Sequence, residues 1–550
     1  MKHAPLRLLV LLVLCTGIVT GPASSDSGDS DAGTQRMMPV GHPVYGQLQT
    51  LAMETGRRLP ALRQPCSAAE LLQLLQSIPT NQLSAAGRQL VIRIEESLGP
   101  KAVFSSGNFS FLSSPRLALE GYYSSAADNV WKFSYERRSP LLNIPLEIGI
   151  AELAWLQIDL TIKEEYRAIS EDSANYSNIP AALTYLDWYF PFRAYGALGG
   201  DWWSLQFGRD RLNWGNGLSG NLILSGNVDF HDFAQGSLYW DWFSFTSLYA
   251  VLDPWLTPEE VAIWNNPAQT NAGWYPNYNE LYKAFTAHRF DFSLGQRARI
   301  AITEACLYGN KYPQLNDLNP FMIMHNYFIP ERGNSMFGLE IDVSPWKYFS
   351  LSGQFALDEF ETSYEEGKGA RPGATAWLVN TRLALPLGKS YLQAFAEYGH
   401  IAPWMYNRWH PNTRFTSRRR IWSYIPPDGY EWVTKPLGHA AGPDSDLFYA
   451  GASWQSPLPA GLQLNTGAEY QWLRHSNITL DTAYNLYQSA DELRTLWRYD
   501  QTVELYARLQ LPWNFETWGN VLLCWYENYS GEAGRNEFRL EVAGGISWEY

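Results

Sequence analysis

The chain has 550 residues, of which 15% are aromatic and only 17% charged, and its net charge is −14. A charged fraction this far below the usual quarter argues against two or three ordinary soluble domains. The acidic balance excludes a nucleic-acid partner, because phosphate binding needs a basic face.

The first 23 residues read as a secretory signal. Lys2 and Arg7 precede the apolar run Leu8–Val19, and small residues follow around Ala23. Residues 24–39 are small and polar and predict a disordered leader. Residues 40–100 predict a small helical unit: Leu71, Leu72, Leu74 and Leu75 recur at helical spacing, and Ser67 with Glu70 marks a capping box. Cys66, Cys306 and Cys524, the set left once the signal is removed, are odd in number and widely spaced. They predict neither a disulfide framework nor a metal site, and no cofactor is expected.

From 101 to 550 the pattern has period two. Leu156, Ile158, Leu160 and Ile162 share one face, and Gln157, Asp159, Thr161 and Lys163 the other. The last strand alternates to the end of the sequence, with Phe538, Leu540, Val542, Ile546, Trp548 and Tyr550 against Arg539, Glu541, Ser547 and Glu549. No run approaches the ~20 apolar residues of a membrane helix. Short and long connections alternate when counted back from Tyr550. These features predict an all-β transmembrane barrel of about 18 antiparallel strands in the bacterial outer membrane, with lipid outside and a polar lumen. The terminal aromatic resembles the signal read by barrel-assembly machinery.

The stretch "FGRDRLNWGNGLSGNLILSGN" (207–227) follows an apolar strand. Arg209 and Arg211 share the parity of Leu205 and Phe207, so a continued strand would aim two guanidinium groups at lipid, at about 2–4 kcal/mol each near the midplane. Gly208 offers a bulge or kink that redirects them. The chain is then expected to leave the wall and fold over or into the lumen as a plug, its charges pairing with lumen carboxylates such as Glu304.

That stretch also closely resembles the signature of the outer-membrane capsule-assembly family called Wzi: paired arginines, Trp-Gly-x-Gly, then a Leu-rich piece ending Ser-x-Asn. Weaker likenesses follow in order. They are the strand with Glu304, Tyr308 and Asn319-Pro320, the strand ending at Asp358-Glu359, and the late loop with Gly438, Gly442 and Asp446. Asn216 and Gly226 stand where members often carry Pro and Asp. The resemblance implies a monomeric barrel with a periplasmic helical unit, loops plugging the outer mouth, and a lectin-like, non-enzymatic role in holding capsular or other surface polysaccharide.

Sugar recognition draws on aromatic faces and on Arg, which pairs bidentately with acidic groups. Loop 401–445 carries both, and Arg414, Arg418, Arg419, Arg420 and Trp422 are its candidates for an acidic surface polysaccharide; the arginines could equally bridge lipopolysaccharide phosphates. Arg209, Asp210, Arg211, Asn221 and Glu304 complete the candidate set with Trp214, which reads first as a packing residue. Catalysis is not expected. Asp358 and Glu359 are adjacent on a strand and point to opposite faces, while His325, His400 and His410 lack ligand spacing. The rival functions are a porin or substrate-specific channel, and a surface adhesin.

Overall fold

The computed structural model describes residues 35–550 except 100–102, 127, 129, 172–175, 189–190, 258–259, 262–281, 310–311, 314–318, 320–323, 325–332, 361–372, 409–410, 424–428 and 483–488. The signal segment and most of the leader lie outside the described residues, as do His325 and His410.

Eighteen antiparallel strands close into a barrel. They are β1 (Arg116–Ser124), β2 (Leu142–Ile150), β3 (Ala154–Ile162), β4 (Ala194–Gly200), β5 (Trp203–Asp210), β6 (His231–Tyr239), β7 (Phe243–Leu252), β8 (Lys283–Leu294) and β9 (Ala298–Gly309). The ring continues with β10 (Gly333–Trp346), β11 (Phe349–Glu359), β12 (Ala374–Leu387), β13 (Ser390–Ile401), β14 (Ser445–Pro457), β15 (Gln463–Ser476), β16 (Trp497–Leu511), β17 (Phe515–Glu527) and β18 (Glu537–Glu549). Sequence neighbours are spatial neighbours all round, and β18 closes on β1 with Glu541 opposite Ser124 and Glu549 opposite Arg116. Short turns, from 201–202 to 458–462, occupy one end; long connections, from 528–536 to 402–444, occupy the other.

The wall inverts the polarity of a soluble sheet. Leu156 and Ile158 of β3 are 44% and 38% exposed, while Gln157 between them is 6% exposed. A continuous apolar exterior is an aggregation surface in water and a solvated one in lipid. Exposed Trp202, Trp240, Trp242, Trp346 and Trp513 ring the short-turn end, and Trp377, Tyr398, Trp525 and Phe538 are exposed nearer the other end. Phe538 and Trp548 are ten residues apart on β18, about 33 Å along a strand. At a tilt near 40° that is about 25 Å along the membrane normal, the height of a barrel's apolar band.

One seam is irregular. β1 and β2 pair only at Arg116–Asn143 and Leu117–Leu142. Glu147–Ile150 of the β2 edge pair instead with Phe109–Leu112, and β1 is met by the 176–178 segment, where Tyr122 N–H donates to Tyr176 O at 2.8 Å.

Three helices fill the short-turn mouth: α1 (Pro43–Thr55), α2 (Ala68–Gln76) and α3 (Ala85–Leu98). α1 starts with Pro at its first turn and ends at Gly56, whose φ of 68° suits glycine. The Ser67 hydroxyl accepts from Glu70 N–H at 3.2 Å. The Glu70 carboxylate turns away to Arg63, so only half of the expected capping box forms. Leu48, Leu51, Leu71, Leu75, Leu90 and Ile94 form a core with Tyr391 of β13. The unit is latched to the turns: Arg58 donates from its backbone to Gln296 O at 2.8 Å, and from its guanidinium to Gly295 O at 2.8 Å and Asp241 O at 2.6 Å.

Candidate functional site

β5 keeps its register through Gly208, Arg209 and Asp210, opposite Phe233, Asp232 and His231 of β6. The bulge expected at Gly208 is therefore absent. Glycine is still required there: φ is +124°, and a Cβ would sit 2.4 Å from Ala194 O. Arg209 stays on the outward face at the strand's outer end. It grips Asp232 with two bonds of 2.7 Å and lies 3.8 Å over the Phe230 ring. The in-register acid on the next strand, not a lumen carboxylate, relieves the charge. Glu304 is far from this pairing: it lies between His288 and Phe337 in the ladder and accepts from Met324 N–H at 3.5 Å. Asp210 points inward and pairs with Arg193 at 3.0 Å.

The chain leaves the wall at Arg211 and turns into the bore. Leu212, Trp214, Leu222, Leu224 and Val228 are buried against inward-facing Phe233, Leu248, Phe285, Leu307 and Leu378 of the wall and Trp404, Tyr406, Phe415 and Leu437 of the 402–444 connection. This is a protein core inside the outer half of the barrel. Trp214 N–H donates to Leu224 O at 2.9 Å, and Gly215 N–H to Leu62 O at 3.0 Å, so the plug meets the helical unit. Asn216 extends that junction: its amide donates to Pro60 O at 3.2 Å and accepts from Gln49 at 3.0 Å. Asn221 ties the turn together, accepting from Gly217 N–H at 2.9 Å and Gln354 at 2.6 Å and donating to Asn213 at 2.8 Å. Below it, Arg289 and Arg299 pair with Asp291, Glu340 and Asp342 in a buried network.

A serine and a histidine do meet in the plug. The Ser219 hydroxyl lies 3.0 Å from His439 Nε2. Ala441 N–H donates to His439 Nδ1 at 3.1 Å, which leaves Nε2 as the protonated, donating nitrogen. Burial lowers the imidazole to about 4, and the serine is directed to Glu397. The ring is thus not placed to take the serine's proton. Asp358 and Glu359 do not diverge as alternation predicts. A register shift between Leu357 and Glu359 lets Arg408 reach both, at 3.6 and 2.6 Å. Cys66, Cys306 and Cys524 are buried and joined by no disulfide among the described residues, and no metal-binding cluster occurs among the described residues.

Over the plug lies a hairpin, Thr416–Ser423 paired with Gly429–Pro436. Alternation sends Arg419 to the plug side, 3.4 Å from Asp229 and 3.6 Å over Phe230. Arg418 pairs with Glu260 and, at 3.4 Å, with Asp481. Arg414 reaches the same two carboxylates at 3.5 and 3.8 Å. Three of the four candidate arginines of this connection are therefore internally neutralised. Arg420 is different: it stacks 4.0 Å over Trp255 and 4.1 Å over Tyr430. Trp422 and Tyr430, opposite each other, are 44% and 47% exposed and meet edge-on at 5.0 Å. Tyr430 is among the aromatics that mark loop 401–445 in the sequence, whereas Trp255, on a different connection, was missed by sequence reasoning.

No protein-family model matches the chain, and no curated protein matches it. Among solved structures it is similar to Wzi of Escherichia coli, described as an outer membrane protein involved in group 1 capsule assembly and a carbohydrate-binding β-barrel. The identity is 14%, the TM-score 0.56, and the match covers 93% of this chain and 98% of that one. OprD of Pseudomonas aeruginosa (11% identity, TM-score 0.36, 80% and 95% covered) and the channel DcaP of Acinetobacter baumannii (9%, 0.34, 81% and 99%) are more distant. The chain is an outer-membrane-type β-barrel of Wzi-like fold.

Proposed function

We propose that this protein binds surface polysaccharide at the outer mouth of the barrel and holds it there, with the helical unit on the periplasmic side and without passing solute through the bore. The observation that carries the reading is the exposed Trp422–Tyr430 pair with Arg420 stacked behind it, set above a bore filled by protein. Aromatic faces pack on the C–H faces of sugar rings, and a rigid pair backed by a guanidinium gives contact area at little entropic cost. The carbohydrate binding described for Wzi supports the same assignment. A porin needs a water-filled lumen, and the packing of Trp214, Leu222 and Leu224 leaves the outer bore an apolar core.

The test is binding of the purified, detergent-solubilised barrel to immobilised bacterial exopolysaccharides. The Trp422→Ala/Tyr430→Ala double variant is expected to lose roughly tenfold or more in affinity, about 1.4 kcal/mol, while retaining its folded electrophoretic mobility. Undiminished binding by the double variant would refute the platform.

A further inference from the structure

Resting on that reading, one arginine stands apart. Arg209, Arg414, Arg418 and Arg419 have carboxylate partners and Arg420 has aromatic ones. The half-buried Arg211 guanidinium has no carboxylate within ion-pair distance and no hydrogen-bond acceptor among the described residues. It lines a cavity of about 370 Å³ whose other walls include Glu136, Gly226, Asn227 and the Thr434–Pro436 edge of the hairpin. Asp229 feels this cation only at longer range, without an ion pair, so the guanidinium keeps its donors open toward space that a ligand can fill. The volume sits at the small end of the ~300–1,000 Å³ range of small-molecule sites.

The surroundings define the ligand. Lys435 is held between Glu136 and Asp229, at 2.9 Å from each, so it fixes the wall rather than offering a free charge. Its ammonium keeps the Glu136 carboxyl below the usual carboxylate range against the opposing effect of burial, and the Glu136 side chain is 34% exposed. The cavity thus presents one open guanidinium and one ionised carboxylate that accepts from hydroxyl groups. Burial lowers the neighbouring Lys163 ammonium to about 8 against the pull of Asp229 and Asp187, and Arg211 pushes it further down, so Lys163 and Arg211 are close enough to interact. A singly charged, hydroxyl-rich group fits this arrangement. A doubly charged phosphate would meet Glu136 unfavourably. Thr434 lies opposite Arg418, and Trp422 is four residues beyond, about 13 Å along the strand, so one glycan chain can reach both the platform and the cavity.

We propose that the cavity at Arg211 is a subsite for the carboxylate of a uronic acid residue in the bound polysaccharide, with Arg211 pairing to the carboxylate and Glu136 accepting from ring hydroxyls. Arg211 sets the preference for acidic over neutral chains, and the Trp422–Tyr430 platform supplies binding common to both.

The experiment uses the full-length barrel in detergent and three probes: a polyuronate oligosaccharide, the same oligosaccharide after carboxyl reduction, and inorganic phosphate as competitor. Wild type is expected to bind the acidic oligosaccharide roughly tenfold more tightly than the reduced one. Arg211→Gln should abolish that preference without weakening binding to the reduced oligosaccharide, and Arg211→Lys should restore part of it. Because Arg211 makes no ion pair or side-chain hydrogen bond among the described residues, neither variant should lower the denaturation midpoint by more than the small loss of its longer-range attraction to Asp229. A wild-type protein that binds both oligosaccharides equally, or an Arg211→Gln variant that keeps the acidic preference, overturns the subsite and leaves the polysaccharide reading standing. A wild type that binds neither oligosaccharide overturns both. Displacement of the acidic oligosaccharide by equimolar phosphate overturns the assignment to a uronate.

Discussion

At the scale of residues, charge in this barrel is governed by partner and depth. Arg299 is enclosed by Asp291, Glu340 and Asp342, and Ser352 also donates to Asp342. Removing one partner of such a cluster strands the others in a low-dielectric interior. Arg299→Met is therefore expected to cost about 3–5 kcal/mol, read as a lower urea midpoint for the barrel refolded in vesicles; an unchanged midpoint would show the network to be dispensable. The same logic limits what the sequence can reveal. Arg414, Arg418, Arg419 and Arg420 are visible as a basic run, but the Glu260 that neutralises two of them lies 158 residues before Arg418. No local pattern connects them. Arg209 keeps the outward face that strand parity gives it instead of being redirected at Gly208 as expected, and what escaped notice was Asp232, whose register opposite Arg209 makes the position tolerable without a bulge.

At the scale of elements, the two plugging units are joined by hydrogen bonds from Gly215 to Leu62 and between Asn216 and both Gln49 and Pro60. α1 begins at His42, whose Nδ1 accepts from Val44 N–H at 3.2 Å. Burial lowers this imidazole to about 4, and Arg36 and Arg193 push it the same way. The folded state therefore keeps His42 neutral while the unfolded chain takes up a proton near 6.5. Between those values the unfolded state binds more protons, so this contribution is complete above about 6.5 and is lost as pH falls toward 4. His42→Asn retains a capping oxygen and cannot titrate. Between pH 7.5 and pH 4.5 the wild type should lose more of its urea midpoint than this variant; equal losses would remove His42 as a cause. The helices themselves were legible from leucine spacing and Ser67. Their seat in the short-turn mouth was not, because it rests on contacts such as Tyr391 with α1–α3 and Arg58 with Gly295, which join segments hundreds of residues apart.

At the scale of the molecule, the barrel was legible because its two faces meet different solvents. That contrast writes period two into every strand, and it also forces closure, since an open sheet edge cannot be satisfied in lipid. The β1–β2 seam was not legible: its two bridging pairs and the segments that cover it follow from how the ring closes, which no single strand encodes. What the whole assembly achieves is a wall built like a pore and filled like a soluble domain. Asp210 and His231 face each other across β5 and β6, so residues 213–228 can be replaced by a short Gly-Ser turn without disturbing the wall.

The central claim, a closed scaffold rather than a channel, is tested most directly by single-channel recording in planar bilayers on the intact protein and on the 213–228 replacement. The intact barrel should be electrically silent and the replacement should show discrete openings. A steady, large conductance from the intact protein would contradict the account and return the porin reading to first place.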